Sequence, residues 1–473
     1  MAFNILLLNP PYQSAKGYNR EGRCTQEAGF WSTPWPPFSL AMVAAVLRDK
    51  HRIRILDCPA QRIIRARLLD DIVRNAPQVV IAAVSTETIE SDLEILGTIK
   101  KRAPRTTILV FGIHATVFAA DIIGTGAVDF VIKGEPEETA RELIAAIEAG
   151  SDAREIKGIA GRGASGETFS TEDRGYIQNL DDLPFPAWDL VDLDRYRLPV
   201  SRRKFLIVNT LRGCPFRCSF CNTGVYYGTT ARRRSVNSIL DEITFNIERH
   251  RIRDIFFWSD TFTLFRNQVQ ELCEGILKKG LNIRWVANSR VDTVDPEILS
   301  LMRKAGCWLV SFGIESADDR ILERCGKRIT GEKIGEAVRW AKAAGLKTAG
   351  HFILGLPGET EATARATTRL AKTLGLEFAH FYSAVPYPGS ALYDEALANG
   401  WLWGKDWSSF HQDEFVMELP GLAADTLYRL RRKAYHAFFF RGKTLRTALS
   451  LIALDGLLSS GKSALAKLFA RRR

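Results

Sequence analysis

At 473 residues, with 46% hydrophobic and 25% charged residues, the chain is long enough for two or three ordinary domains with large cores. No uninterrupted apolar run approaches the ~18 residues of a membrane span, and the opening MAFNILLLNPP, without a basic n-region, reads as a first strand and not as a signal peptide. The net charge of +11 sits at one end: residues 429–473 hold 12 Lys plus Arg against one acid, Asp455, and the remainder is balanced at 53 basic and 53 acidic residues.

From Asn4 to Gly150, the apolar runs NILLLNP, IRILD, VVIAAVS, ILVFG and DFVIKGE alternate with helical patterns such as SLAMVAAVLRDK. This alternation predicts a doubly wound parallel sheet over residues 1–150, whose ligands lie beyond the carboxyl ends of the strands. The expected ligand loops are Pro10–Tyr12, Ser85–Glu87, Gly112–His114 and Gly134–Glu135. Residues 151–203 are rich in turn formers and prolines and read as a linker strapped across a surface. Six strand-helix units follow over 204–395, which predicts a partial barrel with its chemistry on the loops at the carboxyl ends of its strands. Residues 396–473 read as helical, ending in a basic amphipathic tail.

The loop after the first barrel strand reads RGCPFRCSFC and holds Cys214, Cys218 and Cys221. Three thiols do not pair into disulfides, and a closed structural zinc site needs four ligands, the nearest outside Cys or His being His250. An iron-sulfur cluster held by three thiolates, with one iron open, remains. The other cysteines, Cys24, Cys58, Cys273, Cys307 and Cys325, have no framework spacing, so a reducing cytoplasm is expected.

With Phe220 before the last cysteine, this triplet resembles that of the radical S-adenosylmethionine (SAM) enzymes. The resemblance implies a 4Fe-4S cluster whose open iron chelates SAM, and reductive cleavage of SAM to a 5′-deoxyadenosyl radical. It carries further roles onto matching motifs: Ser259 and Asp260 in FWSDTFT for the SAM amino group, Arg290 in NSRVD for its carboxylate, Glu315 in GIES for the ribose, and Gly355 and Leu356 in ILGLPGE for adenine.

The front of the chain, through PPFSLAMVAAVL, GIHATV and DFVIKGEPEET, resembles the Rossmann-like cobalamin-binding domain that precedes the barrel in one branch of that family. The Asp-x-His-x-x-Gly motif that supplies a lower axial histidine elsewhere is absent, so the resemblance implies cobalamin with no His on cobalt. Ile113 also departs from the second glycine common after Gly112. Ser85, Thr86, Gly112, His114 and Gly134 are the expected cobalamin contacts, with a bare scaffold as the alternative for this domain.

The expectation is therefore a cobalamin-dependent radical SAM enzyme that methylates an unactivated carbon of a hydrophobic or lipid-like small molecule and takes electrons from a flavodoxin or ferredoxin. The layout also resembles the anaerobic oxidative cyclases of magnesium porphyrin esters, which leaves cyclisation open, as it does a non-catalytic cluster or cobalamin module. The basic tail suits peripheral contact with an anionic membrane, or packing of its apolar face on the barrel. Nucleic acid is not expected as a partner, because no base-stacking module is visible.

Overall fold

The computed structural model describes residues 2–12, 18–21, 26–27, 33–163, 165–198, 201–403 and 406–440. Its first sheet is assembled from the apolar runs, as strands β1 (Asn4–Asn9), β2 (Arg52–Asp57), β3 (Val79–Ala83), β4 (Thr107–Phe111) and β5 (Phe130–Ile132), all mutually parallel. Leu7 stands opposite Ile55 on one side and Ile81 on the other. Alternate residues feed two cores: Leu6, Leu8, Val80 and Val110 pack on one face, and Ile5, Leu7, Ile81 and Leu109 on the other. Helices cover both faces, which is why these strands read as continuous apolar runs and not as alternation.

The sheet does not stop at Gly150. Strands β6 (Ile159–Arg162) and β7 (Thr168–Ser170) continue it antiparallel, giving the order β2-β1-β3-β4-β5-β6-β7. The turn-rich stretch conceals them because glycine interrupts the apolar pattern for a packing reason. A Cβ on Gly161 would lie 2.7 Å from the Phe130 ring and 2.8 Å from that of Phe169. Beyond the hairpin the chain is anchored by two buried aromatics, Trp188 and Tyr196, the latter donating its hydroxyl to Asp57 Oδ2 at 2.7 Å.

The second sheet has six parallel strands in sequence order: β8 (Phe205–Asn209), β9 (Asp254–Trp258), β10 (Arg284–Ser289), β11 (Cys307–Glu315), β12 (Lys347–Leu354) and β13 (Phe378–Ser383). β8 and β13 do not pair, so the barrel is open. Its helices begin where the sequence supplies caps: Ser235, Asp295, Thr330 and Thr360 each accept a backbone N–H of the following first turn. Helix Ala424–Phe439 closes the described chain, with Leu430, Ala434 and Phe438 buried in the barrel core. The packed alternative therefore holds for the tail up to Phe439, while residues 441–473 lie outside the described residues. Among the described residues no helix is long and apolar enough to cross a membrane.

A buried ion-pair network fastens the two sheets together. Glu135 and Glu137, at the start of helix Pro136–Ala149, receive Arg212 at 2.9 and 2.6 Å, and Arg232 reaches Glu135 at 2.8 Å. Each of these side chains is at most 5% exposed. The carboxyl ends of both sheets consequently meet across one cleft.

Candidate active site

After β8 the chain makes a short antiparallel pairing, Leu211–Arg212 with Arg232–Arg233, before entering the cysteine loop. Gly213, at φ +87°, makes the crossing feasible, because a Cβ there would sit 2.3 Å from the Thr230 carbonyl oxygen. Cys214 N donates to Gly228 O at 3.2 Å, Cys221 N to Cys218 O at 3.0 Å, and Ser219 N to Cys325 O at 2.8 Å. The loop is thus held by backbone on both sides. Cys214 is buried, and Cys218 and Cys221 are half-buried.

The thiols have polar and cationic neighbours. Cys221 Sγ lies 3.3 Å from Thr223 Oγ1, Cys214 Sγ 3.9 Å from Thr261 Oγ1, and Cys218 Sγ 3.9 Å from Arg290 Nη1. Burial pushes the Cys218 thiol up, and Lys327 and Arg290 act against that shift. Among the described residues no group of three or more His, Cys, Asp or Glu side chains is arranged to hold a single metal ion. A cluster makes no such demand, since each thiolate binds a different iron. An all-thiol set with adjacent cations suits an anionic iron-sulfur centre.

Around this loop the strand ends bring charged groups with defined partners. Asp260 accepts Gly213 N at 3.0 Å and the Thr223 hydroxyl at 3.3 Å, and neighbouring Ser259 is buried against the Thr210 hydroxyl. Arg290 forks onto Asp292 at 2.9 and 2.8 Å, donates to Lys327 O at 2.7 Å, and lies 3.7 Å over the Phe216 ring. Glu315 ends β11 at a register shift with φ +67° and receives Lys327 Nζ at 3.0 Å. Gly355 turns at φ +90° and donates its N–H to Glu359, while Leu356 is fully buried and Phe220 packs against the barrel core. Burial pushes the Glu359 carboxyl up to about 8, and its Oε1 has no hydrogen-bond partner.

The first sheet faces this array across the cleft. Ser85, Thr86, Gly112 and His114 line it from one side, and Thr223, Asp260, Tyr226, Tyr227 and Trp258 from the other. Gly112, at φ +136°, ends β4 where a Cβ would lie 2.2 Å from Val84 O. Small strand-end residues opposite aromatic rings suit a large flat cofactor with polar edges. His114 is buried, with Nδ1 3.3 Å from Thr86 Oγ1 and its ring against Phe118 and Trp407; burial pushes it down to about 4. Gly134 does not line this cleft among the described residues. Its N–H is taken by Thr116 Oγ1 at 3.0 Å, and the adjacent Glu135 turns to the arginines.

Sequence reasoning missed Arg20 and Glu21, which also line the cleft. Arg20 pairs with buried Asp92 at 2.6 Å, and burial pushes the Glu21 carboxyl up to about 7. They lie in an aperiodic stretch before the first helix, where no local pattern marks them. Lys327 and Glu359 were also missed; Glu359 closes the ILGLPGE motif, whereas Lys327 reaches Glu315 from twelve residues further along the chain.

Residues 208–371 match the radical SAM superfamily and residues 32–144 the B12 binding domain. The chain is 34% identical over 445 residues, 93% of each protein, to an uncharacterized methyltransferase of Pyrococcus horikoshii. It is 27% identical over 475 residues to an anaerobic magnesium-protoporphyrin IX monomethyl ester cyclase of Cereibacter sphaeroides, covering 97% of this chain and 75% of that protein. Its fold matches the radical S-adenosylmethionine methyltransferase TsrM from Kitasatospora setae, solved with cobalamin and a 4Fe-4S cluster, at a TM-score of 0.71 and 19% identity over 96% of this chain and 90% of that one. The chain belongs to the cobalamin-dependent radical SAM enzymes, whose cofactors are a 4Fe-4S cluster, SAM and cobalamin.

Proposed function

We propose that this enzyme transfers a methyl group to an unactivated carbon of a hydrophobic small molecule. The observation that supports it best is the shared cleft: Thr223 and Asp260, beside the cysteine loop, line the same space as Ser85, Thr86, Gly112 and His114. When bound, the cluster supplies one-electron cleavage of SAM and cobalamin supplies the methyl group.

In this reading Cys214, Cys218 and Cys221 hold the cluster, with Phe220 flanking it. Ser259 and Asp260 receive the SAM amino group, Arg290 its carboxylate, Glu315 the ribose, and Gly355 with Leu356 the adenine. The two bonds that Asp260 accepts tie Gly213 to Thr223 and so fix the loop around the thiols. Ser85, Thr86, Gly112 and His114 would contact cobalamin. Tyr226, Tyr227 and Trp258 exclude water from the opposite wall. A flavodoxin or ferredoxin supplies the electron. Reversible contact of residues 441–473 with an anionic membrane is a further element, resting on their charge alone.

The test is anaerobic reconstitution with iron, sulfide and cobalamin, followed by turnover with methyl-deuterated SAM over hydrophobic substrates. Formation of 5′-deoxyadenosine together with a product carrying the label is expected. A product without the label would favour oxidative cyclisation, the second reading, which the cyclase relative supports. Absence of both 5′-deoxyadenosine and labelled product would leave a non-catalytic binding module.

A further inference from the structure

A second cavity, of about 270 Å³, lies inside the open barrel and shares no lining residue with the cleft between the sheets. Phe205, Phe256, Val286, Leu309 and Ala349, one from each of β8 to β12 in turn, give it a largely apolar wall. Strand β9 connects the two spaces. Asp254, at its start, lines the cavity, and Trp258, at its end and on the same strand face, lines the cleft. These two residues lie about 13 Å apart at the usual strand rise. On β10, Arg284 and Asn288 line the cavity, and Arg290, just beyond the strand, comes within 3.9 Å of Cys218 Sγ. Asp254 and Arg284 therefore mark the end of the cavity remote from the cysteine loop.

That remote end holds polar atoms that the fold leaves unpaired. Asp254 is 4% exposed. Its Oδ2 is held by Arg203 Nε at 2.8 Å, whereas Oδ1 has only Arg284 Nε at 3.8 Å, an ion pair beyond hydrogen-bond reach. Asp254 Oδ1 and the buried hydroxyl oxygen of Ser201, which also lines the cavity, have no hydrogen-bond partner in the protein. Unpaired buried groups of this kind are costly, and a ligand that pairs them removes the penalty.

The charges at this end select the partner. Asp254 repels an acid. An ammonium group would meet Arg203, Arg284 and Lys347, of which Asp254 and Glu377 offset only two. A neutral hydroxyl meets neither obstacle, since it donates to Asp254 Oδ1 and accepts from Ser201 Oγ.

We infer that the barrel cavity binds an elongated apolar molecule bearing an uncharged hydroxyl, which Asp254 and Ser201 hold at the end remote from the cysteine loop. This deepens the proposed function, on which it rests: it names the head group of the hydrophobic substrate and puts the methylated carbon at the opposite end from the hydroxyl.

The full-length, anaerobically reconstituted protein is titrated calorimetrically with 1-octanol, and with octyl methyl ether, octanoate and octylamine as comparison ligands. Octanol is expected to bind at least tenfold more tightly than its methyl ether, which keeps an acceptor but has no donor, and more tightly than either charged ligand. Ser201→Ala and Asp254→Leu should each reduce the preference for octanol over the ether fivefold or more, with cluster iron unchanged. The preference is a ratio within one protein, so a smaller folded fraction of the Asp254 variant does not imitate the effect. An ether that binds as tightly as octanol overturns the proposal on the wild-type protein alone. Tighter binding of octanoate or octylamine does the same, as does a preference unchanged in both variants. Turnover with methyl-deuterated SAM is measured on the same samples. Absence of both 5′-deoxyadenosine and labelled product counts against the enzymatic reading, whereas turnover without hydroxyl selectivity counts against the head group only.

Discussion

The two sides of the cleft are built differently. On the barrel side the groups assigned to SAM and the cluster are mostly charged and tied to neighbours: Asp260 to Gly213 and Thr223, Arg290 to Asp292, and Glu315 to Lys327. On the first-sheet side the positions assigned to cobalamin are the buried His114 and Ser85, Thr86 and Gly112, small residues at strand ends, with the charged Arg20 and Glu21 nearby. The contrast fits the two tasks proposed for these residues. A small zwitterion beside a cluster needs charges held in fixed directions, because misplacement costs rate steeply. A large macrocycle needs open surface, which short side chains leave free.

The sharpest break in this comparison removes one side's chemistry alone. Replacing Cys214, Cys218 and Cys221 together with Ala should eliminate cluster iron and 5′-deoxyadenosine formation while cobalamin is still retained. Cys273→Ala, at a fully buried thiol in the barrel core, should keep its iron. Iron and cobalt analysis of gel-filtered protein decides both. Loss of cobalamin along with iron would make the two sides one interdependent unit.

The next effect concerns what holds the sides together. Arg212→Met leaves Glu135 with only Arg232 and leaves Glu137 without its arginine, inside a buried network. Breaking a buried pair by removing one partner costs about 3–5 kcal/mol. Thermal unfolding should therefore shift strongly down, and cobalamin retention is expected to fall with it. A midpoint within a degree or two of wild type would mean that the aromatic strap at Trp188 and Tyr196 carries the interface instead.

The parallel strands of the first sheet were legible in the sequence because strands buried on both faces are continuous apolar runs, and the cysteine loop because its spacing has few chemical uses. The hairpin of β6 and β7 was hidden by Gly161, which breaks the apolar run where it fits between Phe130 and Phe169. The arginine clamp was hidden because its partners lie 75 and 77 residues apart along the chain.

On the first-sheet side, Gly112→Ala tests the need for a bare strand end. The new Cβ meets the Val84 carbonyl oxygen, which is backbone and moves only with the strand. A stability loss of about 1–3 kcal/mol and reduced cobalamin per chain are expected, with cluster iron unchanged. Equal loss of iron would show that the strand end supports the whole cleft and not one side of it.

The smallest effect lies on the barrel side and depends on pH. Burial raises the Glu359 carboxyl to about 8, against a bond from Gly355 N–H that lowers it. An unfolded glutamate releases its proton near its ordinary value, whereas the folded one keeps it up to about 8. The folded state therefore binds more protons between those values, and stability falls as pH rises through that window, levelling off above it. Glu359→Gln keeps a carbonyl oxygen for the Gly355 N–H but cannot titrate. Between pH 6 and 8 the wild type should lose about 1–2 kcal/mol more than the variant. Glu21, raised to about 7 in both proteins, contributes a common slope that cancels in the difference. Thermal midpoints of the two holoproteins across that range supply the measurement. Parallel pH profiles would mean that Glu359 is already ionised in the fold and that the Gly355 turn is held by a carboxylate.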